Sequence, residues 1–572
     1  MQEMESYKLW CGTPLEDSDL SAELAAIDGD TDAIKDRFYR DLEFGTGGLR
    51  GVIGAGTNRM NIYTVRRATQ GLANYLNEQG DSPSCAISYD SRIKSDVFAK
   101  EAARVLAANG IKTYLYDHLM PTPCLSFAVR ELHCDAGIMI TASHNPAKYN
   151  GYKAYGPDGC QLTLAAANRV LDLIEQIDIF QGINLIGFEQ AVLEESIAYI
   201  PADVEEKYLA CVREQSLDKE APAKADLKVV YTPLNGTGNL PVRKILEMSG
   251  IKDVVIVPEQ EKPDGTFRTC PYPNPEIAEA LELGLTLSET EKPDLLLATD
   301  PDCDRMGIAV PNDMGKYVLI SGNEAGVLLL DYICKMRTQN HTMPQDPVAV
   351  KTIVSTPLAA RIAENYGVKM IDVLTGFKFI GEQILLLEKE GGEGRYIFGF
   401  EESYGYLAGT YVRDKDAVVA SMLICEMAAY YKLQGISVLE ALSGLYEKYG
   451  VYLNRQESFI CEGASGMEHM KEIMDGLRKS PPQSIAGKSV VSMSDYLSSE
   501  TIWQTDGKKE RIALPKSDVI AFSMENGASV LVRPSGTEPK IKVYYMVSDQ
   551  FRVGAEAFLE TLKADFTRII GF

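Results

Sequence analysis

Three short segments carry side chains whose types and spacing suit one chemistry. In Thr141-Ala142-Ser143-His144-Asn145-Pro146 a serine follows the apolar run Ile138-Met139-Ile140, and a serine at a sharp strand-to-helix turn can carry a phosphoryl group. In Asp300-Pro301-Asp302-Cys303-Asp304-Arg305 the carboxylates alternate. An extended loop can then fold all three around one cation, and hard oxygen donors select Mg2+ or Ca2+ over softer metals. In Arg533-Pro534-Ser535-Gly536-Thr537 a guanidinium fork, two hydroxyls and an open backbone amide supply what a phosphate monoester asks for. Nucleophile, cation cage and anion cradle are the parts of phosphoryl transfer.

Each segment also has a plainer reading. Ser143 can cap a following helix, since serine is a favoured N-cap. The aspartates open like an EF-hand, but Arg305 stands where that loop needs glycine, Pro311 takes its twelfth position, and a strand-like run precedes it. The arginine segment can be an ordinary turn. Two apparent nucleotide motifs are set aside. Gly487-Lys488-Ser489 lacks the upstream glycine of a P-loop, which is Pro482 here. Gly45-Thr46-Gly47 has no hydrophobic strand before it, and its third glycine is misplaced for a dinucleotide fold.

These loops need a scaffold. At roughly 150 residues per domain, 572 residues suggest about four domains. Short apolar runs at 86–89, 112–116 and 137–140, at 228–234, 253–257 and 294–300, and at 348–354, 369–374 and 396–400 alternate with helical stretches such as 241–249. That rhythm predicts three doubly wound α/β units with largely buried strands. After about Tyr449 the pattern turns to polar loops, a Pro481-Pro482 pair and a final helix over 551–570, which predicts a smaller α+β domain. The expected divisions are 1–205, 206–316, 317–448 and 449–572. Each polar loop leaves a strand end, so one central cleft shared by all the units is the economical expectation.

Composition narrows the class. With 57 basic against 81 acidic residues and a formal charge of −24, the surface is wrong for nucleic acid but still permits a local cationic pocket for a small phosphate ester. Eleven scattered cysteines without a C-x-x-C pair read as reduced thiols and a cytoplasmic home. The acidic start, Met1-Gln2-Glu3-Met4-Glu5, lacks the basic and apolar runs of a signal peptide. No stretch approaches the roughly 18 apolar residues of a membrane span, and Ala417 to Tyr431, interrupted by Glu426, reads as a buried helix.

Together with Gly45-Thr46-Gly47-Gly48-Leu49-Arg50-Gly51 and Gly399-Phe400-Glu401-Glu402-Ser403-Tyr404-Gly405-Tyr406, these segments resemble, in order and over nearly the whole chain, the signature loops of the α-D-phosphohexomutase superfamily, in particular its phosphoglucomutase and phosphopentomutase branch. The resemblance implies three related α/β/α units and a fourth, TATA-box-binding-protein-like domain. It implies that Ser143 is phosphorylated at rest and that Mg2+ is held by Asp300, Asp302, Asp304 and a phosphoserine oxygen. Arg50, Lys153 and Arg305 would surround the transferring group, with Lys153 or His144 moving the proton. Glu401 and Ser403 would bind sugar hydroxyls, while Lys378, Arg533, Ser535, Gly536 and Thr537 hold phosphate. Tyr406 stands where some bacterial relatives carry a histidine, which puts a histidine's role there in doubt. The implied activity interconverts α-D-glucose 1-phosphate and glucose 6-phosphate through glucose 1,6-bisphosphate, which also serves as primer, in a monomer or homodimer. A phosphopentomutase, a phosphomannomutase, a metal-dependent phosphatase and a silent sugar-phosphate sensor are the alternatives.

Overall fold

Leu295–Thr299 is buried at every position, as a strand covered on both faces must be. In a computed structural model of the chain, which describes residues 2–45, 48–461, 466–535 and 540–572, this strand is the centre of a five-stranded sheet. It pairs in parallel with Lys228–Thr232, which in turn pairs in parallel with Asp253–Ile256. On its other edge it pairs antiparallel with Met306–Pro311, and that strand with Tyr317–Ile320. The sheet is therefore mixed, and the sharp reversal between Thr299 and Met306 is the aspartate loop.

The chain divides into two compact units. The first comprises Met1–Ser321, Ile380–Phe398 and Ser403–Gly435, and it holds this sheet and a six-stranded one. The six-stranded order is Gly48–Val52, Tyr149–Tyr155, Ala136–Ile140, Ser84–Tyr89, Lys112–Leu115 and Ile197–Tyr199. Ala136–Ile140 is again fully buried and pairs in parallel with Ser84–Tyr89 but antiparallel with Tyr149–Tyr155. Helices Ile62–Gln79, Ser95–Ala108 and Leu164–Glu175 turn apolar faces to one core, with Leu72, Phe98, Ile138 and Val170 among its buried members.

The second unit comprises Gly322–Phe379, Gly399–Glu402 and Ile436–Phe572. Its Val348–Thr352 and Lys369–Val373 pair in parallel, with helix Leu358–Asn365 between them in sequence. An antiparallel sheet follows, running from Val451–Ile460 through Lys540–Asp549, Ser529–Pro534, Ile520–Met524 and Lys488–Asp495 to Glu500–Trp503 and Lys509–Arg511. The expected final helix is present as Arg552–Ile569. Val354 joins Val519, Leu531, Tyr544 and Met546 in one apolar cluster, which packs the end of the parallel pair against the antiparallel sheet.

Three α/β/α units followed by an α+β domain thus match the sequence expectation. Among the described residues no helix is long and apolar enough to cross a membrane, and no two cysteines form a disulfide. The run from Ala417 is the buried helix Ala417–Lys432. Its N-cap Asp416 accepts from the Val418 and Val419 amides at 2.8 and 3.1 Å and from the buried Tyr208 and Tyr411 hydroxyls at 2.9 and 2.7 Å.

Replacing Asp416 with alanine removes the cap, worth about 1 kcal/mol, and strands two buried hydroxyls at roughly 1 kcal/mol or more each. The expected outcome is a melting transition lowered by several degrees, read by calorimetry, while Asp416→Asn retains part of the loss.

Candidate active site

Ser143 ends no helix. The strand Ala136–Ile140 leads through a tight arch into the antiparallel strand Tyr149–Tyr155, so the expected strand-to-helix turn is a β–loop–β turn, and no helix N-terminus stands behind the serine. The reason lies beneath the loop. The buried Arg92 guanidinium donates to the carbonyls of Ser143 and Asn145 and to those of Pro146 and Tyr149 at 3.0 and 3.1 Å. Four carbonyls drawn to one cation curl the chain back on itself. Asp90 holds Arg92 in turn at 3.4 Å and accepts from Thr141 Oγ1 at 2.6 Å, while Phe267 covers the guanidinium face at 5.0 Å. Ser143 itself sits at φ +51°, a left-handed conformation that costs a non-glycine residue about 1 kcal/mol or more.

The arch brings Ser143 to the aspartates. Its Oγ donates to Asp300 Oδ2 at 2.7 Å and lies 3.2 Å from His144 Nδ1. Asp300 Oδ1 accepts from the Asp304 and Arg305 amides at 3.0 Å each, which folds the loop over its own first carboxylate. Lys153, on the strand after the arch, donates to Asp302 Oδ2 at 2.9 Å and reaches Asp304 Oδ2 at 3.4 Å. Lys415 reaches Asp304 Oδ2 at 3.0 Å and Asp414 at 3.1 Å. Thr122 donates to Asp302 Oδ2 at 2.9 Å. These partners occupy the Oδ2 atoms. Asp302 Oδ1 and Asp304 Oδ1 are buried and make no hydrogen bond, and the nearest cation to the latter is Arg305 Nε at 3.8 Å.

The three aspartates are the only group among the described residues that offers carboxylate oxygens within 4.8 Å of one another for a metal ion. Two buried acceptors without donors are costly, and a hard divalent cation satisfies both. The residues therefore fit the metal that the sequence implies. Electrostatics agree. Burial first, and then the neighbouring Asp302 and Asp304 charges, push the Asp300 carboxyl well above its usual range. Burial also works against Asp302, but Lys153, the neighbouring Asp300 and Lys415 outweigh it and hold that carboxyl low. The same balance keeps Lys153 protonated: burial opposes its charge, and Asp302 and Asp304 more than offset that. Burial, then Arg305 and Arg50, hold His144 well below its usual range and hence neutral at neutral pH. Arg50 stands on the edge strand Gly48–Val52 opposite Gly151.

Arg305 donates from Nη1 to Glu276 Oε1 at 2.7 Å and to the Ser403 carbonyl at 3.0 Å. In the second unit, buried Glu401 accepts from the Gly376 amide at 3.0 Å, and Glu402 from Thr352 Oγ1 at 3.0 Å. Lys378 opens helix Lys378–Lys389 two residues beyond Gly376. Arg533 lies on strand Ser529–Pro534 opposite Lys542 and acts on Tyr544, whose hydroxyl is pushed up first by burial and then by Glu402, with Arg533 opposing. The Ser535 amide donates to the Lys540 carbonyl at 2.8 Å. Gly536 and Thr537 lie outside the described residues.

The structure thus gathers Ser143, His144, Lys153, Asp300, Asp302, Asp304 and Arg305 in one place, with the Arg50 charge acting on them. Sequence reasoning missed Arg92, Thr122, Lys415 and Glu276. Only Lys415 carried a signal, as part of the charged run Arg413-Asp414-Lys415-Asp416 against a buried apolar helix.

Four domain profiles match the chain: phosphoglucomutase/phosphomannomutase α/β/α domain I at residues 41–180, domain II at 206–315, domain III at 321–449 and the C-terminal domain at 490–557. The phosphoglucomutase of Staphylococcus haemolyticus is 38% identical over 507 residues, 89% of this chain and 90% of its own length. That of Staphylococcus aureus strain USA300 is 39% identical over 513 residues, with the same coverage. Among solved structures, the Paramecium phosphoprotein pp63/parafusin in its open form superposes with a TM-score of 0.70 at 17% identity, covering 93% of this chain and 95% of that one. A phosphoglucomutase/phosphomannomutase family protein from Burkholderia thailandensis gives 0.65 at 18%, covering 92% and 96%.

Because protons compete with a cation for Asp300, whose carboxyl is raised in the cation-free site, Mg2+ should bind more weakly as pH falls and should release a proton on binding. Calorimetry in buffers of different ionisation enthalpy between about pH 5 and pH 8 measures both. Asp302→Asn should weaken Mg2+ at every pH, by about tenfold or more.

Proposed function

Because the chain belongs to the phosphoglucomutase/phosphomannomutase family, we propose that it interconverts α-D-glucose 1-phosphate and glucose 6-phosphate by lending and reclaiming a phosphoryl group at Ser143. The observation that carries this reading is the Ser143 hydroxyl, 2.7 Å from Asp300 in a left-handed arch whose carbonyls are gripped by Arg92. A serine kept in that conformation, against three buried carboxylates, is placed for chemistry.

In the reaction, the bond between phosphorus and Ser143 Oγ breaks as the free sugar hydroxyl bonds to phosphorus, and a glucose 1,6-bisphosphate results. The bisphosphate turns end for end and returns its other phosphoryl group to Ser143. His144 is neutral and has a lone pair to receive the hydroxyl proton, while Lys153 is held protonated and has one to give. Asp300, Asp302 and Asp304 hold Mg2+, whose charge offsets that of the serine phosphate. Lys153, Arg50 and Arg305 spread cationic charge around the phosphoryl oxygens, and such positioning and electrostatics carry most of phosphoryl transfer. Glu401 and Ser403 accept and donate to sugar hydroxyls. Lys378, Arg533 and Ser535, with Gly536 and Thr537 from the same motif, take the phosphate that is not reacting. The bisphosphate primes an unphosphorylated chain. Thiols not joined in disulfides fit a cytoplasmic setting.

Intact-mass measurement tests the covalent step. The purified chain should carry one phosphate that maps to Ser143, and Ser143→Ala should lose both it and turnover. Comparing kcat/KM for glucose, mannose and pentose phosphates fixes the sugar; a chain that favours a pentose, or that frees inorganic phosphate stoichiometrically, contradicts the assignment.

A further inference from the structure

Arg305 is tied at three points. Its amide donates to Asp300 Oδ1 at 3.0 Å, and one guanidinium nitrogen, Nη1, donates both to the Ser403 carbonyl at 3.0 Å and to Glu276 Oε1 at 2.7 Å. The next residue repeats the tie, with the Met306 amide on the Tyr404 carbonyl at 3.0 Å. The aspartate loop and the Ser403–Tyr404 segment are therefore pinned together, and the side-chain share of that pin depends on the arginine's rotamer.

A long arginine side chain loses about 2 kcal/mol of rotamer entropy when fixed, and here Lys153 and Lys415 share the same carboxylate cluster. With that carboxylate charge already engaged, Asp304 Oδ1 holds Arg305 Nε only loosely, at 3.8 Å, and rotamer entropy favours other orientations. Glu276 opposes that, and it is built to do so. Its amide is held by Asn274 Oδ1 at 3.1 Å. The next residue, Ile277, packs on Leu234, Cys270 and Ala280. The preceding Pro275 lies so near strand Met306–Pro311 that a Cβ on Gly307 would meet the Pro275 carbonyl oxygen at 2.8 Å. The glycine lets the carboxylate approach the arginine that ends the aspartate loop.

We infer that Glu276 is a positioning residue for the transfer step: it fixes the Arg305 guanidinium between the aspartate loop and the Ser403 segment, so that the arginine meets the migrating phosphoryl group already oriented. Glu276 itself touches no substrate. Nothing in the motif pattern marks it, since it lies 24 residues upstream of Asp300, in Pro273-Asn274-Pro275-Glu276.

This inference rests on the mutase reading, and a double-mutant cycle separates the two. Turnover of glucose 1-phosphate with Mg2+ and bisphosphate primer is measured for the wild type, Glu276→Ala, Glu276→Gln, Arg305→Ala and the Glu276→Ala/Arg305→Ala double variant, each with its melting temperature. Glu276→Ala should lower kcat on the order of 10- to 100-fold with KM within about threefold of the wild type. Glu276→Gln, whose amide oxygen still accepts from Arg305, should recover most of the loss. The double variant should be within about twofold of Arg305→Ala alone, since both changes act through one group. If Glu276→Ala does not fold, the cycle is run with Glu276→Met, which keeps the side-chain length but offers Arg305 no carboxylate, and the same non-additivity is expected. Multiplicative losses, or an effect carried by KM, overturn the role of Glu276 while the mutase reading stands. A wild type that turns over no sugar phosphate removes both.

Discussion

The confinement of like charges governs this structure. Asp300, Asp302 and Asp304 are buried within a few ångströms of one another, where carboxylates repel and water is not there to screen them. Everything around them compensates. Lys153 and Lys415 take the Oδ2 atoms, the loop's own amides take Asp300 Oδ1, and Ser143 donates to the remaining oxygen of Asp300. What is left over, two oxygens aimed inward without a donor, is the demand for a cation. The same excess of negative charge holds Lys153 protonated, so the metal site and the proton inventory share one cause.

Ser143 is arranged by the opposite device, a buried positive charge gathering backbone dipoles. Arg92 collects four carbonyls of the arch and is itself neutralised by Asp90 and covered by Phe267. The expected strand-to-helix turn would have put a helix start behind Ser143, but the chain returns as a strand. In the proposed reaction, stabilisation of a phosphoryl group at Ser143 would fall to side chains and a cation rather than to a helix dipole.

Much of this was legible from the residues alone. Leu295-Leu296-Leu297 and Ile138-Met139-Ile140 announced buried strands because an all-apolar run has no solvent face to present, and the alternation of the aspartates announced their convergence. The arch was misread because a short polar segment between two strands offers the same caps and prolines as a helix start, and the difference is made by Arg92, some fifty residues away. Thr122 and Glu276 were silent for the same reason: a lone polar residue has no period, and its meaning comes from contacts that span from about thirty to nearly two hundred residues of chain. The Arg533 segment was recognisable as a motif, yet its effect on Tyr544 depends on strand register, which apolar patterning does not specify.

The left-handed torsion at position 143 has an evolutionary corollary. Glycine or asparagine would occupy it with less strain, so a laboratory population selected for heat tolerance alone would tend to abandon serine there and grow sturdier. On the role proposed for Ser143, that strain is stability given up for reactivity.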